Sequence, residues 1–432
     1  MFNKKISLYG IVLLLLVSLI SGCSLGGSKD TSSPSGKVEI EFWYGLGGKL
    51  GEEVEKKIAA FNESQNEIKV IGVAQGSYDE TMQKLQAGIA AKKVPAAVLL
   101  ENDPTNALAK KGTLAPLTKF IEEDEDFNPE DFVEAFYQQG TIEGEQYALP
   151  LYGTTQLLYY RKDLFEKAGV TTEQLDTWES LAEAAKKIKD ETGVYGWEPM
   201  WGSPNLIDAA LSNGAEYLSE DGKTVLIDSP EWVEAWEFFR KAIHEDQTMR
   251  IHHGGQGWEY WYKTIDDVMQ GRGAGYTGSS GDQGDLDFSI IAAYPQPGWE
   301  GHAAAPHAGA QMGSIPALAS EEQQKAAFKW FTFFTNAENT ADWSINSGYI
   351  PVRKSAQEVQ AFKEYSDKNP QSKVPLQQAQ IATPPFIDPT GGKIFDALSK
   401  AADKVEIEGV SAETALKEAQ KEAQSELDKI LK

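Results

Sequence analysis

From Val38 to Lys111 the chain alternates strand, helix, strand, helix, strand and helix, which restricts this part to a layered α/β architecture. Val38–Tyr44 (VEIEFWY) places an apolar residue at every second position, the pattern of a half-buried strand. Val54, Ile58 and Phe61 then recur at helical spacing. Ile68–Val73 alternates again, and Tyr78–Ala91 (YDETMQKLQAGIAA) reads as a second amphipathic helix. Ala96–Leu100 is continuously apolar, as in a strand covered on both faces. Thr105–Lys111 is a short helix stopped at Gly112. Strands separated by helices pair in parallel, because each crossover helix packs back over the sheet.

Tyr147–Tyr160 (YALPLYGTTQLLYY) has no helical period and carries Pro150 and Gly153, so it reads as an extended connector. Helices are predicted over 161–169, 177–192, 231–244, 321–335, 337–346 and 411–431. That at 177–192 is expected to enter at Asp176, with Glu179 completing a capping box. Gly271–Gly284 reads as a strand followed by a loop. No solenoid-type repeat is present.

Cys23 is the only cysteine, so no disulfide staples this chain and its stability must come from a core. Lys4 and Lys5 precede the apolar run Ile6–Ile20, which is too short for the roughly 20 residues of a membrane span. It reads as the core of an export signal. Ile20-Ser21-Gly22-Cys23 fits the bacterial lipobox, in which the cysteine is acylated and becomes the mature N-terminus. Ser24–Lys37 is Gly/Ser-rich and polar, a leash with an r.m.s. reach of ~20 Å. These features predict a protein anchored by lipid at Cys23 on the outer face of the cell membrane.

The 65 acidic and 40 basic side chains give a net charge of −25, which argues against a nucleic-acid binder and against a basic membrane-docking face. The 11 Trp, 16 Tyr and 18 Phe include Trp197, Trp201, Trp258, Trp261, Trp299 and Trp343 beside polar or glycine neighbours. Aromatics in such settings either line ligand clefts or cap cores. Glu101-Asn102-Asp103 follows the third strand at its C-terminal end, where open α/β sheets bind ligands. His244, His252 and His253 lack the spacing of a catalytic zinc site, and no metal or cofactor is expected. Gly271-Arg272-Gly273-Ala274-Gly275 lacks the Lys-Ser/Thr ending of a phosphate loop and reads as a turn. The acidic run Glu122–Asp126 reads as a solvated loop.

Six stretches, in order along the chain, resemble the carbohydrate-type extracellular solute-binding proteins of ABC importers. They are FWYGLGG at Phe42, YDETMQKLQAGIAA at Tyr78, YALPLYGTTQLLYYRKDLFEKAG at Tyr147, AGYTGSSG at Ala274, GAQMGSIPAL at Gly309 and FFTNAENTADWSINSGYIPV at Phe333. Within that family the chain looks most similar to glycerol-3-phosphate-binding members. The resemblance implies an α/β, two-lobed periplasmic-binding-protein-like fold of type II, with hinge crossovers near Gly153, His302–Gly309 and Ser347–Pro351. Residues 1–22 would be the signal and 23–37 the anchor and linker. Lobe one would hold 38–153 with 305–346, and lobe two 154–304 with 347–432.

It also implies ligand contacts. Tyr44, Tyr78, Thr154 and Thr155 match family positions, as do Trp197 and Trp201 with a one-residue spacing departure. Ser279, Ser280, Gly309, Gln311 and Tyr349 complete the set, joined by Glu101 and Asn102. Lys393 falls where glycerophosphate binders carry an arginine, and Arg353 is another cation able to turn inward. The partners implied are a small solute and the ABC permease subunits, for a monomer that is not an enzyme. The expected solute is a neutral sugar or oligosaccharide, because stacking rings above hydroxyl-bonding groups suit it and no arginine fork is placed for phosphate. Glycerol-3-phosphate or its diesters are the alternative. A surface glycoside hydrolase needs a facing carboxylate pair, which no stretch singles out. A sensory or adhesive lipoprotein is a third class.

Overall fold

In the computed structural model, residues 36–383 and 385–432 are described. The signal stretch, Cys23 and the leash through position 35 lie outside the described residues. β1 (Val38–Tyr44) buries Ile40, Phe42 and Tyr44 on one face, as its alternation predicts. It pairs in parallel with both β2 (Ile68–Ala74) and β3 (Ala97–Leu100). The crossovers are α1 (Gly48–Ser64) and α2 (Tyr78–Ala91). Ser77 caps α2 by accepting the Glu80 N–H at 3.2 Å, and Lys92 ends it in the left-handed conformation. α3 (Asn102–Lys110) begins three residues earlier than expected, so Asn102 and Asp103 form its first turn.

β4 (Ala148–Arg161) is the long extended connector, and it belongs to both halves of the molecule. A second lobe follows it, with α4 (Trp178–Thr192), the two-residue β5 (Glu198–Pro199), α5 (Ser203–Ser212), α6 (Glu259–Met269), β6 (Gly275–Ser279) and β7 (Ile291–Tyr294). β8 (Ala308–Ser314) returns to the first. The eight strands run in the order β2-β1-β3-β8-β4-β6-β5, with β7 on the far half of β4. Residues 148–155 of β4 pair with β8, and 156–161 pair with β6 and β7. Pro150 is tolerated inside the sheet because the register steps from Gln311 opposite Tyr152 to Met312 opposite Pro150, which leaves Leu151 as a bulge in β4 itself, beside the proline. α4 is capped one residue later than expected, by Thr177 and Ser180, while the Asp176 carboxylate accepts the Tyr294 hydroxyl at 2.7 Å.

Two cores flank this shared strand. The first collects Phe42, Phe61, Trp330, Phe331 and Trp343. The second collects Trp178, Trp232, Trp236 and Phe239 with the C-terminal helices. The last handover falls later than the expected 346/347 boundary. Gly153 and Ile350 exchange backbone hydrogen bonds of 2.8 Å, and Tyr349, Ile350 and Val352 pack into the first core. Ala356 and Phe362 then pack on Ala341. The chain reaches the second core only after α7 (Val374–Ala379), whose Gln378 side chain donates to Thr155 Oγ1 and the Gln156 carbonyl. There α8 (Lys393–Glu406) and α9 (Ala412–Ile430) pair; α8 was not foreseen from the sequence.

Candidate functional site: an acidic, aromatic cleft between the lobes

The C-terminal ends of the lobe-one strands and the starts of α2 and α3 face the starts of α5 and α6 across a cleft of about 840 Å³. Gly45 permits the tight approach on the lobe-one side, because a Cβ there would lie 2.4 Å from the Ser77 backbone. The floor is a stack of tyrosines. Tyr78 and Tyr152 share a 2.7 Å hydroxyl hydrogen bond, and the Tyr152 and Tyr349 rings are 4.4 Å apart. Burial holds all three hydroxyls far above the usual phenol range. Gly281 of lobe two lies against this stack, where a Cβ would meet Tyr349 Cζ at 2.3 Å.

Ten of the fourteen ligand contacts expected from sequence line this cleft: Tyr78, Glu101, Asn102, Thr154, Thr155, Trp201, Ser279, Gly309, Gln311 and Tyr349. Thr154 and Ser279 approach to 3.3 Å across the point where β4 changes lobes. Thr155 donates to the His307 carbonyl at 2.7 Å.

Four expectations are corrected. Tyr44 is in the lobe-one core, its hydroxyl donating to Glu55 at 2.5 Å. Trp197 is 1% exposed, packed over Gly275 with its indole N–H on Thr277 Oγ1 at 3.0 Å. Ser280 is fully buried behind the cleft wall, where its own carbonyl packs against Gly348. Lys393 is exposed on the first turn of α8 and pairs with Asp396 at 2.6 Å. Arg353 turns away as well: it lies 3.6 Å over the Phe132 ring and donates to the Thr335 and Asn128 carbonyls.

Sequence reading missed much of lobe two. The run Trp258-Glu259-Tyr260-Trp261-Tyr262 opens α6 and sends four rings into the cleft. Its signal was visible: four aromatics in five residues, too many for the single apolar stripe of an ordinary surface helix. Trp258 donates to the Gly45 carbonyl at 2.9 Å, a direct contact between lobes. Trp201 stands edge-on to Tyr260 at 4.8 Å and donates to Asp403 at 2.9 Å.

The charge of the lining is one-sided. Seven carboxylates line the cleft, from Asp79, Glu101, Asp103, Asp208, Asp282, Asp285 and Asp403, and no lysine or arginine does so among the described residues. Glu101 opens onto the cleft yet is ringed by protein on its other sides. That desolvation, with Asp79 and Asp103 nearby, pushes its carboxyl up to about 7. Desolvation and then Asp388 push Asp103 to about 7, and burial lifts Asp282 to about 8. Asp208 is better compensated, accepting from the His307 backbone at 3.0 Å and from Gln296 at 2.8 Å. Lys49 sits near Asp285 at 3.5 Å but does not line the cleft.

Away from the cleft, Glu198, His252 and Asp267 bring their ligating atoms within 4.8 Å of one another. Arg250 donates to both carboxylates and Arg272 to Asp267, so guanidinium groups already occupy this cluster. Its donor set is that of a salt-bridge network. His244 instead approaches the Val405 and Glu406 carbonyls, and His253 is exposed.

The model of the family described as bacterial extracellular solute-binding protein matches residues 56–370. The sn-glycerol-3-phosphate-binding periplasmic protein UgpB of Brucella melitensis is 30% identical over 367 residues, covering 79% of this chain and 81% of its own. The UgpB structure from Mycobacterium tuberculosis, in complex with glycerophosphocholine, superposes with a TM-score of 0.79 at 24% identity, covering 91% of this chain and 99% of that one. An ABC substrate-binding protein from Listeria monocytogenes in complex with cycloalternan gives the same TM-score and identity, covering 91% and 98%.

Proposed function

The chain belongs to the bacterial extracellular solute-binding proteins of ABC transporters, a non-catalytic family, and from that premise we propose that its solute is of the sugar type. Binding a small polar solute outside the cytoplasm and handing it to a membrane permease is the family's role. The observation that carries the sugar reading is the cleft lining: seven carboxylates and no lysine or arginine among the described residues. A phosphate monoester placed there would lose its hydration beside carboxyl groups, with no lysine or arginine in the lining to offset a cost of several kcal/mol. Hydroxyl groups meet the opposite situation, since carboxylates and amide oxygens accept from them and rings cover their C–H faces. The cleft volume also lies high in the usual range for small-molecule sites, far more than a three-carbon phosphate fills.

The second reading, glycerol-3-phosphate or a glycerophosphodiester, is favoured by the names of the relatives. Thermal shift separates the two. A solute at 100 times its Kd raises stability by about 2.7 kcal/mol, so a true ligand stands out in a panel of oligosaccharides, glycerol-3-phosphate and glycerophosphocholine. Stabilisation by oligosaccharides alone supports the sugar reading; stabilisation by glycerol-3-phosphate alone overturns it.

The residues proposed to contact solute are the ten expected ones that line the cleft, with Trp258, Tyr260 and Trp261 added from α6. Two lobes joined by β4, β8 and the segment around Ile350 also suit hinge closure over the solute. A radius of gyration that shrinks with ligand in solution scattering supports that motion, and an unchanged one refutes it. Cys23 is proposed as the lipid anchor. Cys23→Ala should release the protein into the medium, and retention at the membrane with no acyl mass on Cys23 refutes the assignment.

A further inference from the structure

Resting on the sugar-capture reading above, we propose that the solute carries an ammonium group, seated between Asp79 and Glu101 of lobe one and the Trp201 and Tyr260 rings of lobe two.

The first support is the polarity of what the cleft leaves unpaired. Asn205 and Gln311 line it at 3% and 9% exposure, and the side-chain oxygen of each is buried without a hydrogen-bond partner. Gln156 and Asp282 of the same lining each carry one more such oxygen, and all four unpaired atoms are acceptors. A buried acceptor left unmade costs about 1–3 kcal/mol, so the complementary solute is rich in donors. Hydroxyls supply one donor each, and an ammonium supplies three with no acceptor.

The second support is where charge meets rings. Asp79, in the first turn of α2, and Glu101, the residue that caps α3, line the same cleft as Trp201 and Tyr260. No salt bridge joins Asp79, Glu101 or Asp103 to a lysine or arginine among the described residues. The starts of α2 and α3 make these carboxylates tolerable beside one another, but leave their charge unneutralised. Tyr78, Trp258 and Tyr260 form a chain of rings at 5.8 and 6.4 Å spacing that runs from lobe one into lobe two, and Trp201 closes it at 4.8 Å from Tyr260. Ring faces beside uncompensated carboxylates form a cation site, to which each kind of group contributes independently. A neutral sugar would leave that charge unanswered.

Calorimetry on the mature chain tests this with glucose, galactose and mannose mono- to trisaccharides and their 6-amino-6-deoxy counterparts, which exchange one hydroxyl for an ammonium at nearly the same shape. The amino member of the bound pair should be tighter by about tenfold or more, the equivalent of roughly 1.4 kcal/mol. Asp79→Asn with Glu101→Gln should bring that ratio to about one. Should the double variant not fold, each single substitution should still lower the ratio. Equal or tighter binding of the parent sugars overturns the ammonium assignment while leaving sugar capture standing. A preference that survives the substitutions overturns the seat. Binding by neither set overturns the sugar reading itself.

Discussion

The two walls of the cleft are built from different materials. Lobe one offers carboxylates at the starts of α2 and α3, namely Asp79, Glu101 and Asp103, with no basic partner among the described residues. Lobe two offers carboxylates too, but each has a partner: Asp403 the Trp201 indole, Asp282 the Trp261 indole at 2.8 Å, Asp208 the His307 backbone and Gln296, and Asp285 the Lys49 ammonium at 3.5 Å. What lobe two leaves exposed to the cleft is ring surface. One wall therefore supplies charge and the other supplies area, so a solute in the proposed site would meet both lobes. Neither lobe alone carries the whole of the proposed site.

The sharpest way to break this comparison is to ask which lobe-two tryptophan does the contacting. Trp197 stands behind the wall and Trp201 on it. Trp197→Ala should cost about 3–5 kcal/mol of stability, as emptying a large core site does, read by urea unfolding. A loss below about 1 kcal/mol would show that Trp197 is not the core support described.

Trp201→Ala should instead weaken solute binding by about 2 kcal/mol, near thirtyfold, as for an aromatic at the centre of a contact surface. Stability should move less, because Trp201 is only half-buried. Calorimetry with the solute found in the thermal-shift panel decides it, and unchanged affinity would move the site off the lobe-two wall.

A smaller effect separates committed from uncommitted charge by pH. Burial raises the Asp282 carboxyl from its ordinary 3.8 to about 8, so the folded state holds a proton that the unfolded chain gives up. Stability from that group is complete below pH 4 and is lost as pH rises towards 8. Asp282→Asn, which keeps an oxygen for the Trp261 indole, should then gain roughly 1–3 kcal/mol over the parent above pH 8 and nothing below pH 4. A pH-independent difference in unfolding free energy would contradict this.

The smallest expected change is at Lys393. It is solvent-exposed and paired on its own helix turn with Asp396, so Lys393→Ala should alter both stability and solute affinity by less than about 0.5 kcal/mol. A tenfold loss of glycerol-3-phosphate binding in that variant would restore the phosphate reading.

Much of the frame was legible in the sequence. The strand–helix alternation of residues 38–111 reports its own burial, because period 2 and period 3.6 are local consequences of backbone geometry. The long connector through Pro150 and Gly153, and the carboxylates after β3, follow from equally local signals. The three-residue error at α3 is a boundary error: Asn102, Asp103 and Pro104 suit a helix start, yet they read as loop because the same residue types build turns.

What tertiary structure alone decided is which side chains face the cleft. Trp197 and Trp201 have similar neighbours in sequence, but Thr277 and Gly275, about eighty residues away, draw the first into the core. Trp201 owes its edge-on stance to Tyr260 and its indole contact to Asp403, on α6 and α8. Arg353 was a free cation in the sequence and became a core residue once Phe132 and the Asn128 carbonyl closed over it. The handover between lobes came late for the same reason, since Ile350 pairs with Gly153 some two hundred residues upstream. Periodicity tells a segment which of its faces is buried, but a cleft is the gap left between segments far apart in the chain, so its lining is fixed only when they pack.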